Sequence, residues 1–108
     1  MENKDCIFCK IIKGEIPSTK VFEDEHTYAF LDVHPKSKHH ALVIPKAHYE
    51  NIFDIPADQA GHLMNSIKQI TSLYKEKYGI SNVNIINNSG KIAGQEVFHI
   101  HFHIVPRD

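Results

Sequence analysis

The chain has 108 residues, of which 12 are basic and 13 acidic, and a formal net charge of −1. This length predicts one domain over residues 1–108. The near balance of charge argues against a nucleic-acid partner held by positive potential. The sequence has no apolar run long enough to span a membrane, and its first ten residues lack an apolar signal core. We therefore expect a cytoplasmic protein with neither a nucleic-acid nor a membrane partner.

The first half of the chain predicts a short helix and three strands. The segment IFCKII has the spacing of one or two helical turns and ends before Gly14 and Pro17. Alternating side chains predict strands over residues 20–23 and 27–33, with a turn between them. The apolar run ALVI, which is closed by Pro45, is typical of a buried strand.

The second half predicts one long helix and two further strands. Residues 56–78 begin with a proline and end before Gly79, as helices often do. Their apolar side chains recur every three to four residues, at Leu63, Ile67, Ile70 and Tyr74. A strand, a loop over residues 89–94 and a last strand follow. Five strands without strand–helix–strand alternation predict an α+β domain with an antiparallel sheet.

Two cysteines, Cys6 and Cys9, form a CxxC pair near the start of the chain. Without an export signal a structural disulfide is not expected, so the spacing leaves a metal knuckle or a redox pair. A redox pair of the thioredoxin type follows a strand and opens a helix, whereas no strand is predicted before this pair. The spacing therefore favours a metal site.

Three histidines alternate with apolar residues in the segment HIHFHIV near the end of the chain. On a strand, His99, His101 and His103 share the face turned away from the long helix, with successive side chains about 7 Å apart. Such a set could chelate a catalytic zinc, or one histidine could be a nucleophile or general base while the others bind an anion. Gly90 and Gly94 give weak support to the second alternative, because glycines let backbone amides approach phosphate oxygens.

The same segment resembles the signature His-φ-His-φ-His-φ-φ of the histidine triad (HIT) superfamily, where φ is apolar. The similarity extends in order through IFCKIIKGEIPS, AFLDVHP, HALVIPKAH, INNSG and GQEVFHIHFHIVPR, and the most similar branch is that of the bacterial histidine-triad nucleotide-binding proteins. The resemblance implies a five-stranded antiparallel sheet with one long helix and a short N-terminal helix. It also implies a homodimer whose sheet continues across both chains. Met64 and Leu73 fit this, since they widen the helix stripe beyond what one small sheet needs.

The function that the resemblance implies is hydrolysis or transfer of nucleoside monophosphates through a covalent nucleotidyl-histidine. Nucleoside phosphoramidates are the expected substrates, with a preference for a purine nucleotide. Three alternatives stay open: a nucleotide-binding regulatory protein with incidental hydrolysis, a dinucleoside polyphosphate hydrolase, and a zinc-stabilised interaction module.

The implied nucleotide site can be carried over residue by residue. His101 is the implied nucleophile, and His40 and His103 hold phosphate oxygens. Asp32 takes the ribose hydroxyls. The residues around the α-phosphate are Asn88, Gly94 and Gln95, and the apolar slot for the base consists of Ile7, Phe8, Ile11, Phe30 and Val33.

One position departs from the eukaryotic members of this branch, which usually have a serine where Glu96 stands. That serine helps to bind phosphate and to protonate the leaving group. A carboxylate at the same position could repel phosphate or act as an acid, so the preference for leaving groups depends on it.

The resemblance also implies a structural zinc ion, Zn²⁺, bound by Cys6, Cys9, His48 and His99. Two thiolates and two imidazoles make a closed tetrahedral site without an open position for water. Such a site would exclude the catalytic-zinc alternative. It would also pin the N-terminal segment to the end of the histidine strand.

Overall fold

The computed structural model of the chain describes residues 5–107. In chain order its elements are α1 (Ile7–Ile12), β1 (Lys20–Glu23), β2 (Thr27–Leu31), β3 (Ala41–Pro45), α2 (Ala57–Tyr78), β4 (Val83–Ile86) and β5 (Phe102–Pro106). The strands form one sheet in the order β1-β2-β3-β5-β4, and all neighbours are antiparallel. The predicted α+β fold class, with a short first helix and one long helix, is confirmed.

Helix α2 covers one face of the sheet and forms the larger of two cores. Its predicted stripe is buried and packs against the sheet, through Leu63, Ile67, Ile70 and Tyr74. The helix begins one residue after the predicted start and ends at Tyr78, just before Gly79, whose left-handed φ of 70° suits a residue without a Cβ atom. Within the described range neither helix combines the length and apolarity needed to cross a bilayer.

Helix α1 covers the opposite face of the sheet and forms a second core. Its members come from α1, β2 and β3, and include Phe8, Cys9, Ile11, Phe30, Leu42 and Ile44. The sequence correctly placed the histidines on the face away from α2 but did not indicate how thoroughly α1 covers it. His99 is completely buried and His101 keeps only 8% of its exposure. The imidazoles of His99 and His101 therefore lie in the interior, and burial dominates their electrostatics.

The last strand is shorter than the sequence predicts. β5 begins at Phe102, so His99 and His101 precede the regular strand. The ladder with β3 stops there because Pro45, which would pair near residue 100, has no backbone N–H. The N–H of Ile100 donates instead to a carbonyl of the loop after β3, at 2.7 Å. The side chains before β5 nevertheless keep the alternation of a strand, since Ile100 still packs in the core under α2.

Strand β2 also ends early, at Leu31 instead of at residue 33. The side chain of Asp32 is the physical reason, because its Oδ1 accepts the backbone N–H of His34 at 2.9 Å and so forms an Asx turn. The N–H of Asp32 still donates to the carbonyl of His40 at 2.9 Å. The turn therefore leaves Asp32 beside His40, the residue that directly precedes β3.

Candidate active site

A cavity of about 730 Å³ opens between α1, the loop before β3 and the segment that leads into β5. We call it the triad cavity. Its volume lies in the range of small-molecule sites. All of the predicted nucleotide-site residues except Gln95 line it, namely Ile7, Phe8, Ile11, Phe30, Asp32, Val33, His40, Asn88, Gly94, His101 and His103. Ser18 and Lys36, which the sequence did not single out, line it too.

A backbone carbonyl holds the ring of His101. Its Nδ1 lies 2.9 Å from the carbonyl oxygen of His99. A carbonyl only accepts hydrogen bonds, so Nδ1 carries the proton and Nε2 keeps its lone pair. The ring of Phe8 packs edge-on against that of His101, with centroids 5.2 Å apart and planes at 88°. The imidazole is therefore fixed in rotation and in tautomer.

His40 and His103 are joined by one hydrogen bond. The backbone N–H of Lys36 donates to His40 Nδ1 at 3.0 Å, so the proton of a neutral His40 ring is on Nε2. That Nε2 lies 2.9 Å from His103 Nδ1 and donates to it. The neutral His103 ring consequently carries its own proton on Nε2. One backbone N–H thus sets the tautomers of two imidazoles and leaves His103 Nε2 as a donor.

Burial keeps these three imidazoles neutral. Removal from water disfavours the cation and lowers the pKa of both His101 and His40. Burial, together with the repulsion that a positive charge on His101 or His40 would exert, lowers the pKa of His103 to about 4. Asp32, whose Oδ2 is 3.5 Å from His40 Nε2, acts in the opposite direction on the pKa of each ring without outweighing burial. At neutral pH the rings have the form in which an imidazole nitrogen can attack phosphorus.

The wall that α1 and β2 contribute is apolar, with one carboxylate at its end. Phe8 and Phe30 meet edge to face, with ring centroids 5.5 Å apart. Ile7 and Val33 are 47% and 83% exposed, so apolar surface is open to a ligand. Asp32 uses Oδ1 within its own turn, which leaves Oδ2 directed toward the cavity. The wall can therefore hold a flat apolar group and a pair of hydroxyls.

The side chain of Gln95 braces the loop between β4 and β5. Its Oε1 accepts the N–H of Gly90 at 2.7 Å, and its Nε2 donates to the carbonyls of Glu50 and Val97 at 2.7 and 3.1 Å. Because the amide is fully engaged, it shapes the loop and does not line the triad cavity. Gly90 and Gly94 have φ values of 100° and 99°, which favour glycine at both bends.

Asn87 and Ser89 support the triad in a way that the sequence did not indicate. Asn87 Nδ2 donates to the carbonyl of His101 at 3.0 Å. Ser89 Oγ donates to Asn87 Oδ1 at 2.8 Å and accepts the N–H of Ile52 at 3.0 Å. The backbone of His101 is therefore fixed from a distant loop. The sequence feature that could have indicated this support is the polar run after β4. Within that run Asn88 lines the triad cavity, whereas Asn87 does not.

The four residues predicted to bind metal form a second cluster, with candidate ligand atoms that all lie within 4.8 Å of one another. His99 Nδ1 is 3.3 Å from Cys6 Sγ and 3.6 Å from Cys9 Sγ, and His48 Nδ1 is 3.5 Å from Cys9 Sγ. The two Nδ1 atoms are 3.1 Å apart. Tetrahedral zinc, with bonds of about 2.3 Å to sulfur and about 2.0 Å to nitrogen, requires roughly 3.5 Å between sulfur and nitrogen and roughly 3.3 Å between nitrogens. The donor set and its spacing therefore fit zinc.

A backbone carbonyl also orients the His99 ring in this cluster. His99 Nε2 donates to the carbonyl of Pro45 at 2.9 Å, so the Nδ1 lone pair faces the cysteines. Burial lowers the pKa of His99 to about 4, which keeps it in the neutral form that binds metal. Burial raises the pKa of the Cys6 thiol, a cost that a bound cation would offset.

Comparison with known families agrees with this geometry. The family model described as the HIT domain matches residues 13–108. The chain belongs to the HIT family. An uncharacterised HIT-like protein of Methanocaldococcus jannaschii is 52% identical to it over 102 residues, which cover 94% of this chain and 78% of that protein.

Two further HIT relatives are informative about chemistry. The adenosine 5′-monophosphoramidase of Saccharomyces cerevisiae is 46% identical over 102 residues, which cover 94% of this HIT chain and 62% of the yeast enzyme. The crystal structure of a zinc-bound histidine triad family protein from Mycobacterium smegmatis has a TM-score of 0.92 at 37% identity, and the match covers 96% of this chain and 76% of that one. These matches confirm the predicted resemblance and the HIT fold, and they support a nucleotide hydrolase.

Proposed function

We propose that this HIT protein cleaves the bond between the α-phosphate of a nucleoside 5′-phosphate and an amine, through a nucleotidyl intermediate on His101. The observation that carries the proposal is the 2.9 Å hydrogen bond from His101 Nδ1 to the His99 carbonyl, which leaves Nε2 unprotonated in a ring that lines the triad cavity. The phosphoramidase activity named for the yeast relative supports this reaction class.

In the first step His101 Nε2 attacks the α-phosphorus while the phosphorus–nitrogen bond to the leaving group breaks. The amine departs with the bonding electron pair and takes a proton from water at the cavity mouth. His103 Nε2–H donates to a phosphate oxygen, and His40 holds the His103 ring in that orientation. Donors that are oriented before the reaction stabilise the charge of the transition state most effectively.

In the second step water attacks phosphorus and displaces the histidine. A His101 ring that is protonated on Nδ1 and phosphorylated on Nε2 carries a positive charge, which the His99 carbonyl stabilises. When the phosphorus–nitrogen bond breaks, Nε2 recovers its lone pair and the neutral ring is restored. A nucleoside monophosphate and a proton are released.

The nucleoside binds along the apolar wall. Asp32 Oδ2 accepts the ribose hydroxyls, and the base lies against Phe8, Phe30 and Val33. We propose a purine preference because the larger ring system buries more of this apolar surface. The exposure of Val33, at 83%, provides room for that contact.

We also infer that Cys6, Cys9, His48 and His99 bind a structural zinc ion. The spacing of their ligand atoms and the orientation of the His99 ring support this, as does the zinc-bound relative from Mycobacterium smegmatis. With four protein ligands the ion would stiffen the junction of α1 and the segment before β5, with no coordination position left for substrate. Both cysteines are free thiols, which suits the cytoplasm that we propose as the location.

A homodimer is the proposed assembly. β4 is an edge strand, and its Ile85 is 40% exposed. On α2, Met64 and Leu73 remain 51% and 42% exposed although the rest of the apolar stripe is buried against the sheet. The outer N–H and C=O groups of β4 could pair with the same strand of a second copy and continue the sheet across both chains.

The experiment that tests the activity compares hydrolysis of adenosine 5′-phosphoramidate by the wild type, His101→Ala and His62→Ala. Release of adenosine monophosphate should be lost in His101→Ala, while binding of adenosine monophosphate, measured by calorimetry, should persist. His62→Ala is the matched control, because His62 lies on α2 and does not line the triad cavity. Wild-type binding without turnover would instead favour a nucleotide-binding regulatory protein.

A further inference from the structure

A hydroxyl group on α2 reaches the loop that carries His40. Tyr74 is 2% exposed, and its hydroxyl donates to the carbonyl of His39 at 2.9 Å. His39 directly precedes His40, so this hydrogen bond acts on the peptide group that joins the two residues. Burial raises the pKa of Tyr74 to about 12, so its hydroxyl remains a donor at neutral pH.

The backbone that receives this hydrogen bond is strained. His39 has a φ of 69°, and among the described residues it is the one position outside glycine with a positive φ. A side chain disfavours this left-handed conformation, which persists only where surrounding contacts hold it. The ring of Tyr78 stacks on His39, with centroids 3.9 Å apart and planes at 16°. Tyr74 and Tyr78 are one helical turn apart, so a single face of α2 fixes His39.

The position of His40 depends on this arrangement. Its Nδ1 accepts the Lys36 N–H at 3.0 Å, and its Nε2 donates to His103 Nδ1 at 2.9 Å. Its backbone N–H donates to the Ser37 carbonyl at 3.2 Å. A rotation of the preceding peptide would move the ring and misalign both imidazole contacts. The donor on His103 Nε2 would then lose its fixed orientation.

We propose that Tyr74 is a positioning residue for catalysis, which holds His40 in register with His103 through the carbonyl of His39. This inference rests on the proposed role of the triad in phosphate chemistry. It adds to that role a residue on the opposite face of the sheet, where α2 packs. Tyr74 touches neither the substrate nor an imidazole of the triad, so its effect must pass through His39.

The test uses Tyr74→Phe, which keeps the ring and removes the hydroxyl. Tyr78→Phe is the matched control, since it also removes a tyrosine hydroxyl from α2 but preserves the ring that stacks on His39. The readouts are kcat and KM with adenosine 5′-phosphoramidate, the melting temperature, and the ¹⁵N chemical shifts of the His40 and His103 rings. The shifts report tautomer and hydrogen bonding without any need for turnover.

In Tyr74→Phe we expect kcat to fall roughly tenfold, because a small misplacement of a catalytic group costs up to about 10²-fold. We expect KM to change by less than about twofold, since the nucleoside contacts are untouched, and the His40 ¹⁵N shifts to move. Tyr78→Phe should match the wild type in kcat, in KM and in the His40 ¹⁵N shifts.

The proposal is overturned if Tyr74→Phe has the kcat and the His40 ¹⁵N shifts of the wild type. A lower melting temperature would not change this conclusion, because loss of stability alone indicates a purely structural role for Tyr74. If the wild type itself shows no turnover, the proposed activity fails while the ¹⁵N shifts still decide the role of Tyr74. If Tyr74→Phe does not fold, the double variant with His39→Gly is compared with His39→Gly alone, and equal kcat and shifts in that pair also overturn it.

Discussion

At the scale of single residues, backbone groups decide which nitrogen of each imidazole is free. The carbonyl of His99 orients His101, and the N–H of Lys36 orients His40 and through it His103. A carbonyl fixes the tautomer of His101, the proposed nucleophile, as well as a carboxylate would, but it adds no full negative charge behind the ring. That difference matters for a substrate whose phosphate is itself an anion.

The pH dependence of the reaction should reflect the burial of His101. An isolated histidine has a pKa of about 6.5, and burial lowers the pKa of His101 because the cation is less well solvated than in water. A larger fraction of His101, the proposed nucleophile, is therefore neutral at pH 6.5 than of a solvent-exposed histidine. We therefore expect the acid limb of kcat/KM to have its midpoint below pH 6.5. A kcat/KM that has already fallen to half of its plateau value at pH 6.5 would contradict this expectation.

Glu96 should influence the choice of leaving group. Its exposed carboxylate lines the triad cavity near Gly94, where its negative charge disfavours an anionic leaving group. We expect Glu96→Gln to raise kcat/KM for an anionic leaving group, relative to a neutral amine, by roughly fivefold. Glu25→Gln, on a fully solvated turn, is the control. An unchanged ratio in Glu96→Gln would show that the carboxylate does not meet the leaving group.

The sequence predicted the triad but not the contacts by which Gln95 and Asn87 brace the surrounding loops, because those contacts join segments that are far apart in the chain. Alternation along a strand is a local property, so His101 and His103 could be placed on one face from the sequence alone. Gln95, in contrast, was expected in the phosphate loop, yet its amide is bound by the carbonyl of Glu50, 45 residues away. Asn87 was missed because its contact with His101 likewise joins separate segments.

At the scale of elements, the CxxC pair joins α1 to the segment before β5. Cys6 caps the first turn of α1, and Cys9 lies within that helix. Their partner His99 is two residues before His101, so a metal ion at this cluster would hold the segment that carries His101 against α1. Because α1 also carries Phe8, which packs on His101, the proposed zinc site and the triad cavity share one wall.

Removal of a zinc ligand should therefore act on stability more than on chemistry. We expect Cys6→Ser to bind less zinc and to lower the melting temperature strongly, because a structural metal contributes its binding energy to folding. At a temperature well below melting, kcat should fall by a smaller factor. The wild type should contain about one zinc per chain by elemental analysis. A chelator that abolishes turnover but leaves the wild-type melting temperature unchanged would argue for a catalytic metal instead.

Local signals also explain which element boundaries could be predicted. Helix α2 has its proline start, its glycine end and its stripe within one continuous segment, and its bounds agree with the prediction to one residue. The start of β5 depends instead on Pro45, which is far away in the sequence. The end of β2 depends on a side-chain turn at Asp32, which the alternation pattern did not reveal.

At the scale of the whole molecule, the proposed dimer surface and the triad cavity lie on different parts of the chain. The cavity lies under α1, whereas Met64, Leu73 and Ile85 lie on α2 and on the β4 edge. In this chain the residues of the triad, the apolar wall and the metal cluster are all present in one copy. We therefore expect dimer formation to affect stability more than the first chemical step.

Sedimentation equilibrium should give twice the chain mass at micromolar concentration. Ile85→Lys should shift the protein toward monomer, because a charge at the strand edge opposes pairing of two edges. Phe53→Lys is the control, since Phe53 is 90% exposed and lies outside both α2 and β4. A wild-type protein that sediments as a single chain would rule out the dimer.

The covalent intermediate is the central claim, and intact-mass spectrometry tests it most directly. The protein is mixed with adenosine 5′-phosphoramidate, and the reaction is quenched within the first turnover in denaturant at alkaline pH. The intact mass of the protein is then measured. We predict a mass increase of one adenylyl group on the wild type, localised by fragmentation to His101, and no increase on His101→Ala. Turnover by the wild type without an adduct under any quench, or turnover by His101→Ala, would contradict the account and indicate direct attack by water.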